Sequence, residues 1–282
     1  MKNIEVIEKL KEWHQPYEER EKTRDLFLCG DPEEECTGIA VTCCATLDVM
    51  QKAAEKGINL IISHEGISYN YEKVLKVSEY KNEVLLKKLA FAKEHHITVW
   101  RDHDHMHGSG GPHVIDRIRE DMIFYGTMKE LGWEEYVIGD RKKPLWYKVP
   151  KQPVRKLAQE LMEKWHLNGL RVVGNLDAEV ETVYICEHVN ATQFDQFDVP
   201  KLNAAERADV LIPLEIVDYT LTSYVRDAAA LGLNKVILEM GHFNAEELGM
   251  RYLEKVLPEV FDHQLKVEYI QSGDTFQYIS AA

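Results

Sequence analysis

Two hydrophobic periods alternate along this chain of 282 residues. Residues 2–25 carry mostly helical spacing, with a break predicted near Pro16. GDPEEECT (30–37) reads as an acidic turn, and GIAVTCC (38–44) as a short buried strand. A helix-then-strand unit then recurs. From Leu47 to Lys56 an amphipathic helix is predicted, with Val49, Met50, Ala53 and Ala54 on one face and Gly57 at its C-terminal cap. The strand INLIIS (58–63) follows and runs into His64-Glu65. Residues 82–95 give a second helix, with Leu85, Leu86, Leu89 and Ala92 on one stripe, and ITVW (97–100) runs into RDHDHMH. A third helix, 220–231 closed by Gly232, precedes KVILEM (235–240), which ends at Gly241-His242.

The middle of the chain is less regular. Segment 117–150 is mixed, and 140–153 reads as an irregular connection. Val154, Leu157, Ala158, Leu161 and Trp165 mark a helix over 154–165, and RVVGN, VETVYICEH and ADVLIPLE supply further strands. Helices alternating with nearly all-apolar strands predict an α/β fold. Its sheets are mostly parallel and carry helices on both faces. The expected division is a metal-site lobe of 1–116 plus 235–282 and a second α/β lobe of 117–234. In such sheets ligands bind beyond the carboxyl ends of the strands, and three strands here deliver histidines to that edge.

Composition narrows the partners. With 34 basic and 48 acidic residues the formal charge is −14, which argues against a broad nucleic-acid or anionic-membrane surface and leaves a small-molecule substrate. No apolar run is long enough to span a bilayer, and the charged N-terminus lacks a signal-peptide core. The five cysteines are scattered and form no CxxC pair, so a reducing cytoplasm is expected. Cys43-Cys44 precedes a helix, which would suit a nucleophile, but the apolar strand around the pair favours packing.

The chemistry lies in three histidine clusters. ISHEG (62–66) places His64 and Glu65 at a strand end. RDHDHMHGSGGPH (101–113) holds His103, His105, His107 and His113 with Asp102 and Asp104, and Gly108, Gly110 and Gly111 permit close backbone approach. In the third, MGHFNAEELGMRYLEKVL (240–257), Asn244 and Glu247 form a capping-box-like pattern, and His242 and Glu246 can face one site. Met250, Leu253, Leu257 and Val260 mark the apolar face of that helix. Imidazole and carboxylate donors in this number suit two divalent ions with positions open to water.

These motifs resemble the Nif-three-like family over nearly the whole chain. The marks are the apolar strand ending in a His pair, an HxxxD-like loop followed by Gly110-Gly111, GHFNAE, and the closing Gly273-Asp274-Thr275-Phe276; Thr46 matches the family's threonine. The resemblance implies metal ligands His64, Glu65, His103, His107, His242 and Glu246, with Glu65 in place of a histidine and His107 in place of an aspartate. His105 or Asp104 replaces His107 if the loop register shifts, and a rearranged dinuclear site or one tightly held metal both remain open. The resemblance also implies two α/β/α lobes, two ions (zinc, iron or manganese), a toroidal homohexamer, and a GTP cyclohydrolase type 2-like hydrolase. Its substrate would be a nucleotide or related heterocycle, with metal-bound water as nucleophile. Glu187, His188 and Glu215 replace the family's usual second-lobe turns, and Glu246, His188 and Glu215 are the candidate catalytic groups. The alternatives are a non-enzymatic metal-binding or metal-delivery protein, a hexameric scaffold and, against the net charge, a DNA-associated ring.

Overall fold

The structure, a computed structural model, describes residues 1–14, 23–68, 82–108, 120–189, 199–218 and 221–279, with the side chains of 199–202 excepted. Its elements in chain order are α1 (Asn3–Trp13), β1 (Leu26–Cys29), β2 (Ile39–Cys44), α2 (Leu47–Glu55), β3 (Leu60–Glu65), α3 (Glu83–Glu94), β4 (Thr98–Arg101), α4 (Met122–Leu131), β5 (Trp146–Pro153), α5 (Val154–Trp165), β6 (Arg171–Gly174), β7 (Glu179–Val189), α6 (Val199–Arg207), β8 (Val210–Ile216), α7 (Leu221–Ala230), β9 (Val236–Glu239), α8 (His242–Val260) and β10 (Val267–Tyr269). Two compact units result: Met1–Thr127 with Glu247–Ser272, and Met128–Glu246 with Gly273–Ala282.

The first unit is built on a sheet of order β1-β4-β3-β2-β10. β4, β3, β2 and β10 run parallel, and β1 closes one edge antiparallel to β4. Every position of β2 and of β3 is buried, as in strands covered on both faces. The Thr46 hydroxyl accepts the Val49 N–H to cap α2, and Asn82 accepts the N–H groups of Val84 and Leu85 to cap α3. Val49, Met50 and Ala53 of α2 join Ile61, Ile97 and Val99 in the core. Leu86, expected on the buried stripe of α3, is 53% exposed, because Leu85 and Ala92 define the inward face.

The second sheet has the order β5-β7-β8-β9-β6. β7, β8 and β9 are parallel, and β5 and β6 pair antiparallel at the two edges. Leu211, Ile237, Leu221 and Val225 centre its core. In α5 the five residues read as one face are all buried.

Four expectations change. The tetrapeptide Leu26–Cys29 is a strand, an element that hydrophobic pattern alone does not predict. Residues 146–153 form β5 on a sheet edge, where Pro150 and Pro153 are tolerated. The expected division puts residues 235–246 in the first lobe, but β9 pairs with β8 and β6 of the second sheet. Finally, α8 starts at His242, with the Ala245 N–H donating to the Gly241 carbonyl, so Asn244 lies inside the first turn and is not the cap.

Within the first unit, α4 and α8 touch through glycines. A Cβ on Gly249 would lie 2.5 Å from backbone atoms of Ile123, and one on Gly126 would lie 3.0 Å from Gly249. Gly249→Ala is therefore expected to destabilise the protein by about 1–3 kcal/mol despite alanine's better helix propensity. A urea titration showing equal or greater stability would contradict this helix contact.

Candidate metal centres

In the first unit the parallel strands β3 and β4 end side by side, and this brings His64 to the segment that follows β4. His64, His103 and His107 are all buried and each offers one ligand atom, all within 4.8 Å of one another. The His64 and His103 rings stack at 4.5 Å between centroids, and the His107 ring stands edge-on to both at 5.1 and 5.0 Å.

Each of these rings has an oxygen on Nδ1. His64 Nδ1 donates to the Asp102 carbonyl (3.1 Å), His103 Nδ1 to Asp104 Oδ1 (3.1 Å), and His107 Nδ1 to the Asp121 carboxylate (3.2 Å to Oδ2). Arg24 Nη1 also lies 3.3 Å from His103 Nδ1 and 3.4 Å from Asp104 Oδ1, and we take the nearer carboxylate as the partner of that ring nitrogen. With the hydrogen assigned to Nδ1 on these grounds, the lone pair is left on Nε2, the state a metal requires. Burial, reinforced by His64, His107, Arg101 and Arg24, holds the His103 pKa well below the usual imidazole value and keeps the ring neutral. Glu65 is in a buried ion pair: Arg101 Nη2 donates to its Oε2 (2.7 Å) and Arg101 Nε to the His64 carbonyl (3.1 Å). Glu65 Oε1 stands 3.9 Å from His103 Nε2.

The loop is clasped by a carboxylate that the sequence did not single out. Buried Asp25 accepts the backbone N–H of His103 (2.6 Å), Asp104 (2.7 Å) and His105 (3.1 Å), and also bonds the His105 imidazole. Asp104 in return accepts the Arg24 N–H (3.0 Å). This fixes the register in which His107 joins His64 and His103 while His105 is turned to Asp25. Gly110, Gly111 and His113 lie outside the described residues.

The second unit holds another group. β7 has a bulge at Glu187, whose φ is +53°, and past the bulge His188 pairs across the sheet with Glu215 of β8. Lys143 forms an ion pair with Glu187. His188 Nδ1 bonds Glu215 Oε1 (2.6 Å), His242 Nδ1 lies 3.1 Å from Glu215 Oε2, and His242 Nε2 lies 3.3 Å from Glu246 Oε2. His188, Glu215 and His242 again place one ligand atom each within 4.8 Å of one another, but they are half-buried to exposed. Burial alone would raise the Glu215 pKa, yet the hydrogen bonds from His188 and His242 bring it to about 2. Burial alone would lower the pKa of His242, yet Glu246 and Glu215 raise it to about 11. The turn that presents His242 rests on the closing motif. Gly241 has φ +95°, and a Cβ there would meet the Phe276 ring at 2.4 Å; Asp274 accepts from Asn244 Nδ2 (3.0 Å) and from the Asn168 N–H (2.9 Å).

Elsewhere, none of the five cysteines is in a disulfide. Burial pushes the Cys44 thiol up to about 11, which agrees with a packing role for the Cys43-Cys44 pair. Glu247, read as a capping partner, accepts from the Tyr269 hydroxyl (2.7 Å) and the Ser272 N–H (2.9 Å). Among the described residues, no helix is long and apolar enough to cross a membrane.

The model of the family described as Duf34/NIF3 (NGG1p interacting factor 3) matches residues 1–275. The chain belongs to the NIF3 family. Relatives named GTP cyclohydrolase 1 type 2 homolog include a Staphylococcus aureus protein, 28% identical over 169 residues (58% of this chain, 41% of that protein). Another from Clostridium perfringens is 25% identical over 267 residues, 90% of each. The chain thus spans well under half the length of the Staphylococcus relatives it matches. Solved folds of the same kind include a Bacillus cereus protein related to NIF3 (TM-score 0.66, 13% identity, 100% of this chain and 99% of that one). The Staphylococcus aureus protein SA1388 is similar too (TM-score 0.64, 17% identity, 99% of each). At these identities the likeness shows the NIF3 fold: two lobes of mixed α/β structure, each on a five-stranded sheet.

Two consequences follow for this NIF3 chain. Asp25→Ala leaves three buried N–H groups without their acceptor, at about 1–3 kcal/mol each, so denaturant titration should show a loss of several kcal/mol; a loss under 1 kcal/mol would mean that the loop is held by other contacts. For His242 the folded pKa lies above the unfolded value of 6.5, so its stabilising contribution is complete below about pH 6.5 and fades as the pH rises toward 11. A metal must displace that proton, so metal uptake by the second group should release protons at pH 7, read by calorimetry in buffers of different ionisation enthalpy. Buffer-independent heats would contradict the raised pKa.

Proposed function

We propose that the chain is a metal-dependent hydrolase acting on a nucleotide or related heterocycle, in the manner that the name GTP cyclohydrolase 1 type 2 homolog gives to its relatives. The observation that carries this reading is the buried convergence of His64, His103 and His107, each with an oxygen on Nδ1. That donor set fits a divalent ion of the zinc, iron or manganese kind. His188, Glu215 and His242 form the second donor set, so the proposal is two ions per chain. A bound divalent ion supplies Lewis acidity and brings the pKa of water toward neutrality.

The chain's own residues then have distinct tasks. Asp102, Asp104 and Asp121 orient the three imidazoles, and Asp25 holds the loop that carries two of them. Glu215 aligns both His188 and His242 through its two oxygens. Glu246 is the proton-transfer group: it sits one helical turn from His242 and 3.3 Å from its Nε2, which can hand a proton to Oε2 or take one back. The net charge of −14 supports a small-molecule substrate over nucleic acid, the family resemblance supports a toroidal homohexamer, and the scattered cysteines without a CxxC pair support a reducing cytoplasm.

The test is turnover of GTP, other nucleotides and cyclic amides by protein of known metal content. Metal-dependent turnover is expected, with Glu246→Gln lowering kcat by about 10²-fold or more and His64→Ala losing both metal and activity. A metal-loaded protein with no turnover across that panel would sink the hydrolase and leave a metal-holding protein or scaffold. No stoichiometric metal on purification or reconstitution would sink the metal reading itself.

A further inference from the structure

Helix α1 closes without help from the side chain that follows it, because the His14 N–H already donates to the Leu10 carbonyl (3.0 Å). Yet the His14 imidazole is buried and reaches a carboxylate 88 residues away: Nε2 donates to Asp102 Oδ2 at 2.8 Å, with the two side chains 4% and 2% exposed. Asp102 is pinned at three points. Its N–H donates to the Ser63 carbonyl (2.9 Å), its carbonyl accepts from His64 Nδ1 (3.1 Å), and its side chain meets His14. The first two contacts tie it to the end of β3. The third ties it to α1, which is anchored in turn by the buried residues Val6, Ile7 and Leu10. A second imidazole–carboxylate pair, His105 with Asp25, lies alongside, with the His14 and His105 rings 6.0 Å apart.

We propose that His14 is a positioning residue for the metal centre, and that docking of α1 and metal binding at His64 are thermodynamically linked. His14 holds the Asp102 side chain, so the Asp102 carbonyl stays on His64 Nδ1 and His64 keeps the tautomer in which Nε2 is the ligand. A loosened Asp102 would let the His64 ring turn. A buried imidazole–carboxylate pair adds little net stability, because both groups give up water to form it, so its loss is read in the metal more than in folding. By reciprocity, whatever α1 contributes to metal affinity, a bound metal returns as tighter docking of α1. The proposal rests on the reading above that His64, His103 and His107 hold a metal. It adds a residue outside that set, on a different element, on which the binding depends. His14 lies outside all three histidine clusters of the sequence.

The experiment measures the zinc affinity of the full chain by competition with a chromophoric chelator, and amide hydrogen exchange across α1 with and without zinc. His14→Ala is expected to bind zinc about tenfold more weakly. His14→Gln, whose Nε2 can donate to Asp102 in the imidazole's place, should restore most of that affinity. Met50→Ala, which opens a cavity in the core beneath α2, should lower the denaturation midpoint and leave zinc affinity as in wild type. Zinc should slow exchange across α1 in wild type and do so far less in His14→Ala. If circular dichroism shows His14→Ala unfolded, His14→Asn takes its place, since the shorter amide stops short of Asp102. Four results would each overturn the proposal while leaving the metal reading intact: wild-type zinc affinity in the folded Ala or Asn variant, His14→Gln no better than that variant, a comparable loss in Met50→Ala, or α1 exchange indifferent to zinc in wild type. Wild type that takes no zinc overturns both.

Discussion

Three imidazole rings share one dry space in the first unit, and the surrounding structure is shaped by what that requires. A buried polar nitrogen without a partner costs about 1–3 kcal/mol, and three charged imidazoles at this distance would repel one another. Burial and its neighbours keep His103 neutral, and each Nδ1 is given an oxygen: a main-chain carbonyl for His64, and Asp104 and Asp121 for His103 and His107. These oxygens have to be held in turn. Asp25 does this for the loop by accepting three successive N–H groups, and His14 bonds the Asp102 side chain at 2.8 Å. Arg101 ties the end of β3 to that of β4 through Glu65 and the His64 carbonyl. A polar network of this kind is stable only when complete.

The second unit solves a different problem. Its group is wetter and charged, and the organising element is one carboxylate between two histidines. Strand pairing decides which residues meet. The pairing is irregular at Glu187, but its register is the same on both sides, so Ile185 stands opposite Ile212 and His188 opposite Glu215. Glycine at 241 lets the chain turn into α8 directly after β9, with the Phe276 ring occupying the space a side chain would need, so that His242 enters at the first helical position.

Much of this was legible in the sequence wherever a segment is apolar on a clear period. β2, β3, β4, α2 and α5 lie where periodicity put them, because their residues are buried on both faces or along one stripe. His64 and His103 were legible as neighbours at the strand ends of one parallel sheet, but His242, expected at the same edge, follows β9 of the second sheet. What was not legible depends on pairing over long distances. Leu26–Cys29 is too short to show a period and is a strand because it pairs with β4. β9 belongs to the second sheet through partners that local pattern does not name. Asp25 is a single aspartate 78 residues before His103, with no motif around it. The His188–Glu215 pairing depends on the register between β7 and β8, which neither segment shows by itself.

The most direct test of the three-imidazole centre is a crystal of zinc-loaded protein measured on both sides of the zinc absorption edge. The tautomers assigned from the oxygens on Nδ1 predict one anomalous peak bonded to the Nε2 atoms of His64, His103 and His107, at about 2.0–2.1 Å from each. A peak bonded through Nδ1, or zinc bound elsewhere while these three rings stay metal-free, would contradict it.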